Sequence, residues 1–258
     1  GQRLEQFHNP TMEPYPYYEE ALKRDPDNVR VNTVLAIDDC KRGRYGQAEK
    51  RLRRAVARLT HNHTRPRNGE PHYYLGVALA GQQRYDEACD AYNRAAWNAA
   101  WYGPAQFALA QLASREGDFG RALEHIDNAL SANTRDVRAM TLRAAVLRQL
   151  GRAEAALKQA RVALDFDPLD FTAANERALA QTALSKRRMA KKTLEELART
   201  MRGQAQSYLN LATDYSSAGL HAEASEVLAR HAKATPETDP MVYYHLGYCA
   251  ARQGAARQ

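Results

Sequence analysis

Apolar and polar positions alternate along this chain with helical spacing, and the whole arrangement then repeats. In residues 105–116 the apolar side chains form one stripe around Ala110, which predicts a first helix. Gly117 follows, and its backbone freedom is typical of a turn. Residues 121–131 then place apolar side chains at spacings of four and three on one face, which predicts a second helix. This stretch therefore predicts a helix-turn-helix hairpin.

A small residue marks the same position of six successive hairpins. These alanines are spaced 40, 34, 34, 34 and 34 residues apart: Ala48, Ala88, Ala122, Ala156, Ala190 and Ala224. A second series of small residues runs twelve positions earlier and begins with Ala36 and Gly76. Small side chains let two helices approach closely, and hairpins with an exposed apolar face must stack on their neighbours. The pattern predicts an all-α solenoid of about six full hairpins and a partial seventh.

The repeated residues resemble the tetratricopeptide repeat, whose signature places Leu-Gly, Tyr, Ala, Phe, Ala and Pro at set offsets over about 34 residues. The second hairpin, for example, carries Leu75-Gly76, Tyr85 and Ala88 at these offsets. The signature tryptophan is missing from the first helices, and the match covers about residues 28–258. The resemblance implies a right-handed α-solenoid that binds a protein or peptide partner in the concave groove formed by its first helices.

Four strings look like the C-terminal repeat region of large bacterial proteins that carry an uncharacterised N-terminal domain. The strings lie at residues 70–76, 97–101, 147–152 and 165–170. Because Gly1 opens the chain without a methionine, we expect a fragment of such a protein. The alternative function is then an accessory module that supports the missing N-terminal domain, for which a carbohydrate-active domain is one option.

The chain divides into two predicted segments. Residues 1–27 form an N-terminal cap, in which Pro10, Pro14 and Pro16 prevent an ordinary first helix and favour an extended segment. The cap ends in a half-repeat helix at 17–24. Residues 28–258 form the solenoid.

Candidate binding residues follow from the resemblance, which places groove-facing side chains three before and one after each small residue, with others one turn outward. These candidates are Glu70, Tyr73, Phe107, Gln111, Arg138, Thr141, Arg148, Asn175, Thr213 and Tyr244. Their aromatics, amides and arginines suit an extended peptide. A clamp for a chaperone's C-terminal carboxylate is not expected, because Thr33 and Ile37 replace its lysine and asparagine.

The net charge of +7 concentrates in residues 41–58 and 186–192. Such runs are typical of solvated helix faces, and interleaved carboxylates dilute both, so nucleic acid is the less favoured partner. No apolar stretch reaches the length of a membrane span. The cysteines are odd in number, widely separated and in no Cys-x-x-Cys pair, which favours a reducing, cytoplasmic setting: Cys40, Cys89 and Cys249.

No phosphate loop, nucleophile elbow or zinc-protease string is present, so we expect no enzyme and no cofactor. The carboxylates of Glu70, Glu176 and Asp214 could face one groove, but they belong to separate repeats and should lie too far apart for catalysis. His61 and His63 lack a third ligand, so no metal site is expected.

Trp97 and Trp101 lie one helical turn apart at the end of the second repeat. Two interpretations stay open for the pair. The first is structural packing between repeats two and three, and the second is a stacking platform for a sugar or a peptide.

Overall fold

The structure, a computed structural model, describes residues 1, 3–4, 7, 12–62, 65 and 68–255. Over these residues the chain contains helices and no strand. The helices with defined bounds are α1 (Tyr15–Arg24), α2 (Val29–Lys41), α3 (Tyr45–Thr60), α4 (Glu70–Gly81), α5 (Tyr85–Ala95), α6 (Ala99–Arg115), α7 (Phe119–Ala132), α8 (Val137–Gln149), α9 (Ala153–Phe166), α10 (Phe171–Ala183), α11 (Arg187–Met201), α12 (Ala205–Ser217), α13 (His221–Ala234) and α14 (Pro240–Ala255).

Consecutive helices pack as hairpins, with α2 on α3, α4 on α5, α8 on α9, α10 on α11 and α12 on α13. Helix α14, the first helix of the partial seventh repeat, packs on α13. The predicted all-α solenoid of helix-turn-helix repeats is therefore confirmed. The chain forms two compact units, Gly1–Ala105 (unit 1) and Gln106–Gln258 (unit 2).

Two helices begin earlier than the sequence predicts. Helix α1 begins at Tyr15, with Pro16 in its first turn, where the missing N–H of proline removes no helical hydrogen bond. Pro10, assigned to the same extended segment, lies outside the described residues. Helix α6 begins at Ala99 and contains Pro104. Both helices therefore begin before their proline rather than after it.

The turn inside each hairpin requires a left-handed backbone at one equivalent position. Glycine occupies it in four repeats: Gly43, Gly117, Gly151 and Gly219. Gln83 and Ser185 take the same conformation with φ of 63° and 59°. A side chain in this region costs about 1–2 kcal/mol, so these two turns are held by the packing of their helices rather than by local preference.

Close helix approach within a hairpin follows from matched side-chain sizes. A Cβ on Gly76 would lie 2.5 Å from the ring of Tyr92, so only glycine leaves room for the tyrosine. In the next repeat the equivalent pair is Ala110 and Ile126, and both are fully buried. A larger residue on one helix is thus accommodated by a smaller one on the other.

Candidate functional site

Unit 2 contains a cavity of about 410 Å³ between its first helices. Four of the predicted groove residues line it: Phe107 and Gln111 from α6, and Arg138 and Thr141 from α8. Helices α10 and α12 supply the opposite wall. The volume lies within the roughly 300–1,000 Å³ typical of ligand pockets.

One wall of the cavity pairs an aromatic ring with a cation. The guanidinium carbon of Arg138 lies 4.7 Å from the centroid of the Phe107 ring, which is cation–π geometry. Phe107 is buried and Arg138 is exposed, so the ring anchors the arginine at the cavity surface. Gln111 is half-buried beside them and offers an amide.

The opposite wall carries two carboxylates joined through one threonine. The Thr172 hydroxyl donates to Asp214 Oδ2 at 2.9 Å. Asp170 is the N-cap of α10, and its Oδ1 accepts from the Ala173 amide at 2.6 Å. Neither carboxylate has an ion-pair partner within 4.0 Å among the described residues.

Both carboxylates hold a proton more tightly than an ordinary aspartate. Burial raises the pKa of Asp170, and the negative charge of Asp214 raises it further, against the lowering effect of the Ala173 amide. Burial also raises the pKa of Asp214, although the Thr172 hydroxyl and the charge of Arg138 lower it. Asp214 remains accessible, so the cavity walls displace much of the surrounding water without covering the carboxylate.

Thr141 contributes a buried hydroxyl that has no hydrogen-bond partner among the described residues. Its side chain is 4% exposed and lines the cavity. Thr33 holds the equivalent position in the first repeat, and its hydroxyl donates to the Val29 carbonyl at 2.7 Å, one turn back in the same helix. An unsatisfied buried hydroxyl is costly, so the contrast distinguishes Thr141 from an ordinary helical threonine.

The end of α6 contacts the turn between α12 and α13, so two parts of unit 2 that are far apart in sequence touch each other. The Ser114 hydroxyl donates to the Ala218 carbonyl at 2.8 Å, and Arg115 Nη2 donates to the Ser216 carbonyl at 3.2 Å. A Cβ on Gly219 would lie 2.5 Å from the Arg115 Cα. Sequence reasoning missed this contact, because neighbour-on-neighbour stacking gives no signal for residues about a hundred positions apart.

Beyond the cavity, α8, α10, α12 and α13 share a buried ion-pair network. Arg148 donates from Nε and Nη2 to the two Glu176 carboxylate oxygens at 2.8 and 3.0 Å, and Nη2 also reaches Glu223 at 2.9 Å. The Tyr215 hydroxyl donates to Glu176 at 2.7 Å. Burial alone would lower the pKa of Arg148, but the bonds and charges of Glu176 and Glu223 raise it. Glu176, at 0% exposure, is thus an internal counter-ion rather than a groove carboxylate.

Asn175 belongs to the same network. Its Nδ2 donates to the Tyr215 hydroxyl at 2.8 Å, and its Oδ1 accepts from Arg230 at 2.6 Å. Asn175 is 1% exposed. The structure therefore places two predicted groove residues, Arg148 and Asn175, where their polar groups already bind other side chains.

The remaining candidates lie elsewhere. In unit 2, Thr213 is exposed and bonds the Leu209 carbonyl of its own helix, and Tyr244 on α14 is 72% exposed. In unit 1, Glu70 opens α4, and Tyr73 packs against the ring of Trp101 at 4.8 Å.

Within unit 1 the two tryptophans differ in their environment. Trp101 joins a cluster with Tyr73 and Tyr74. The Trp97 side chain is 53% exposed, and its carbonyl accepts from Arg65 at 3.0 Å. The packing interpretation therefore fits Trp101.

The basic stretches bind neighbouring carboxylates. Arg51 pairs with Asp39 at 3.1 Å, and Lys191 lies 3.9 Å from Glu195. The described residues hold no group of three or more side chains arranged to ligate a metal, and His63 lies outside them. None of the described helices combines the length and the apolar content that crossing a membrane requires.

Comparison with known proteins identifies the repeats. The sequence model of the family described as "Tetratricopeptide repeat" matches residues 33–104 and 107–171, more than half of the chain. The crystal structure of MamA is similar, with a TM-score of 0.52 and 24% identity over 58% of this chain and 85% of that chain. The C-terminal part of a TPR repeat-containing protein from Cytophaga hutchinsonii has a TM-score of 0.61 and 14% identity over 90% of this chain and 92% of that one.

A third similar structure is YrrB, described as a TPR protein with an unusual peptide-binding site. Its TM-score is 0.55, with 16% identity over 72% of this chain and 92% of that chain. At these identities the structures share the helical-repeat fold.

Proposed function

The chain belongs to the tetratricopeptide repeat family, and on that premise we propose that it is an interaction module whose unit 2 cavity binds an extended peptide. Stacked helical repeats in general present preformed surfaces to protein partners. A preformed surface binds with a smaller ordering cost than a flexible one. The peptide can come from a partner protein or from another part of a longer parent chain, since both offer the same groups. The proposal includes a reducing, cytoplasmic setting.

The observation that carries the proposal is the buried Thr141 hydroxyl, which lines the cavity without a partner among the described residues. Buried polar groups in folded proteins are almost always hydrogen-bonded, so an unpaired hydroxyl in a cavity wall is able to accept or donate a bond once a ligand's polar group reaches it. A peptide supplies such groups at every residue. Phe107 and Gln111 add an apolar surface and an amide in the same cavity, and pockets of this mixed kind are typical of binding sites.

The peptide class also has support from a similar fold. YrrB, whose description names a peptide-binding site, shares the helical-repeat scaffold. That likeness supports the kind of ligand, while the position of the site rests on Thr141 and the cavity around it.

Selection from a displayed random library of short peptides tests the proposal. The chain is immobilised, bound peptides are recovered, and their affinities are measured for Thr141→Val and for Gln111→Ala. Both variants should bind at least several-fold more weakly. The control is Arg161→Ala, which removes an exposed arginine of α9 outside the cavity. Selected peptides whose affinity is equal for all three variants would contradict the proposal, as would a selection that yields no binder.

A further inference from the structure

We infer that the unit 2 cavity recognises a cationic group of its peptide, a protonated amine or a guanidinium, held between Asp170 and Asp214. This inference rests on the proposed function and deepens it. It identifies the chemistry that distinguishes a cognate peptide from an unrelated one.

The first argument is the charge of the cavity. Its charged lining consists of the carboxylates of Asp170 and Asp214 and the guanidinium of Arg138, which leaves one excess negative charge. The chain as a whole carries +7, so this acidity is local and opposite to the overall balance. Partly buried charges are stabilised by a counter-ion, which a cationic ligand supplies. An anionic ligand would instead be repelled by the two carboxylates.

The second argument is the way the two carboxylates are held. Thr172 donates its hydroxyl to Asp214, and its backbone amide is among the donors to Asp170. An ionised carboxylate has about four acceptor positions on its two oxygens. Both aspartates therefore keep acceptor capacity after these bonds, in side-chain positions that are already fixed. The raised pKa of each carboxyl is consistent with charges that still lack a counter-ion.

The third argument concerns the groups that surround the two carboxylates. The unpartnered hydroxyl of Thr141 shows that the cavity also leaves a neutral polar group unsatisfied. Arg138 stacks on Phe107 in the same wall, and its positive charge repels a cation from that side. The ligand's cationic group therefore belongs against α10 and α12, with a carbonyl or hydroxyl of the same ligand at Thr141.

Asparagine substitutions isolate the charge because they preserve shape. Asp214→Asn keeps an acceptor for Thr172, and Asp170→Asn keeps a good N-cap for α10. The matched control is Asp136→Asn. Asp136 stands one repeat before Asp170 and caps α8 in the same way, but it does not line the cavity. The probe is a peptide recovered from the random library by binding that depends on Thr141.

We expect each cavity variant to weaken binding of this peptide about tenfold or more, since hydrogen bonds to charged groups are worth roughly 1.5–3 kcal/mol. Asp136→Asn should leave the affinity unchanged. Equal affinities for Asp214→Asn, Asp170→Asn and Asp136→Asn would overturn the inference. Should one cavity variant fold poorly, as judged by its helical circular dichroism, the other still decides the result.

Altered peptides identify the source of the cation. One form has an acetylated N-terminus and keeps its lysine or arginine, and the other has a free N-terminus with norleucine at that position. Loss of binding in the second form alone assigns a side chain, and loss in the first form alone assigns the terminal amine. A peptide that is both acetylated and norleucine-substituted should lose binding. If that neutral peptide still binds in a manner that depends on Thr141, the inference fails while the proposed function stands.

Discussion

The cavity of unit 2 and the buried ion-pair network beside it both include residues of α8, α10 and α12, but their polar groups differ in how completely they are hydrogen-bonded. In the network, Arg148 of α8, Glu176 of α10 and Tyr215 of α12 satisfy one another through bonds of 2.7–3.0 Å. In the cavity, Thr141 of α8 and Asp170 of α10 keep unused hydrogen-bonding capacity. The difference separates polar groups that stabilise the fold from polar groups that, under the proposed function, bind a ligand.

The two regions are joined by adjacent residues. Asp214 faces the cavity and Tyr215, the next residue of α12, bonds into the network. On α10, Thr172 bonds Asp214, and Asn175, three residues later, bonds Tyr215. These parallel bonds between α10 and α12 connect the network to the cavity residues one helical turn away.

The comparison is tested most strongly by removing one charge from the network and one charge from the cavity. Arg148→Met should lower the free energy of unfolding by about 3–5 kcal/mol, because it leaves Glu176 as a buried charge without its principal partner. Asp214→Asn should change it by less than about 0.5 kcal/mol. Urea unfolding followed by circular dichroism measures both. A similar loss in the two variants would show that the regions do not differ in the way described.

The second largest effect on stability is expected at the contact between the end of α6 and the turn between α12 and α13. Gly219→Ala should cost about 3 kcal/mol, because it combines left-handed backbone strain with a Cβ 2.5 Å from the Arg115 Cα. Gly117→Ala has the same strain in open space and should cost about 1 kcal/mol. Thermal and urea unfolding compare the pair, and equal costs would mean that the contact contributes nothing to unit 2.

Binding of a cationic peptide should depend on pH through the cavity alone. Affinity should be full above the raised pKa values of Asp170 and Asp214 and should fall as pH drops through them, starting above the ordinary aspartate value of about 3.9. Each carboxylate contributes at most about a tenfold loss per pH unit below its pKa. Arg138 and Tyr215 are the other titratable residues of the lining, and burial raises the pKa of the Tyr215 hydroxyl further above its ordinary value.

Fluorescence anisotropy of a labelled peptide measures this titration. The control is the double variant Asp170→Asn, Asp214→Asn, whose residual binding should be nearly independent of pH. A wild-type affinity that stays constant between neutral and acidic pH would contradict the assignment of the cation to these carboxylates.

The smallest expected effect on stability is measured by comparing two equivalent threonines. Thr141→Val should stabilise unit 2 by up to about 1 kcal/mol, because it replaces an unsatisfied hydroxyl by a methyl group of the same shape. Thr33→Val removes a hydroxyl that bonds Val29 and should be neutral or destabilising by a similar amount. Urea midpoints distinguish the two signs. Destabilisation by Thr141→Val would indicate that its hydroxyl already has a partner.

The sequence predicted the repeats because small residues such as Ala110 and turn residues such as Gly117 act locally, within one hairpin. The family's positional rule also placed Phe107 and Thr141 on the first-helix face that lines the cavity. The rule did not predict Asp170, because Asp170 is the N-cap and precedes the helix to which the rule applies.

The same rule could not tell a free polar side chain from a paired one. Arg148 and Asn175 lie on first helices as predicted, but their partners Glu176 and Tyr215 are fixed by tertiary packing 28 and 40 residues away. Sequence positions predict which face a residue occupies. Whether its hydrogen bonds remain available depends on neighbours that only the folded unit brings together.

The most direct test of the central claim is a crystal structure of the chain with a library-selected peptide bound. We predict peptide density in the unit 2 cavity, a polar peptide atom within hydrogen-bond distance of the Thr141 hydroxyl, and a cationic group between Asp170 and Asp214. Peptide density elsewhere on the chain, with the cavity and the Thr141 hydroxyl unchanged, would contradict the account.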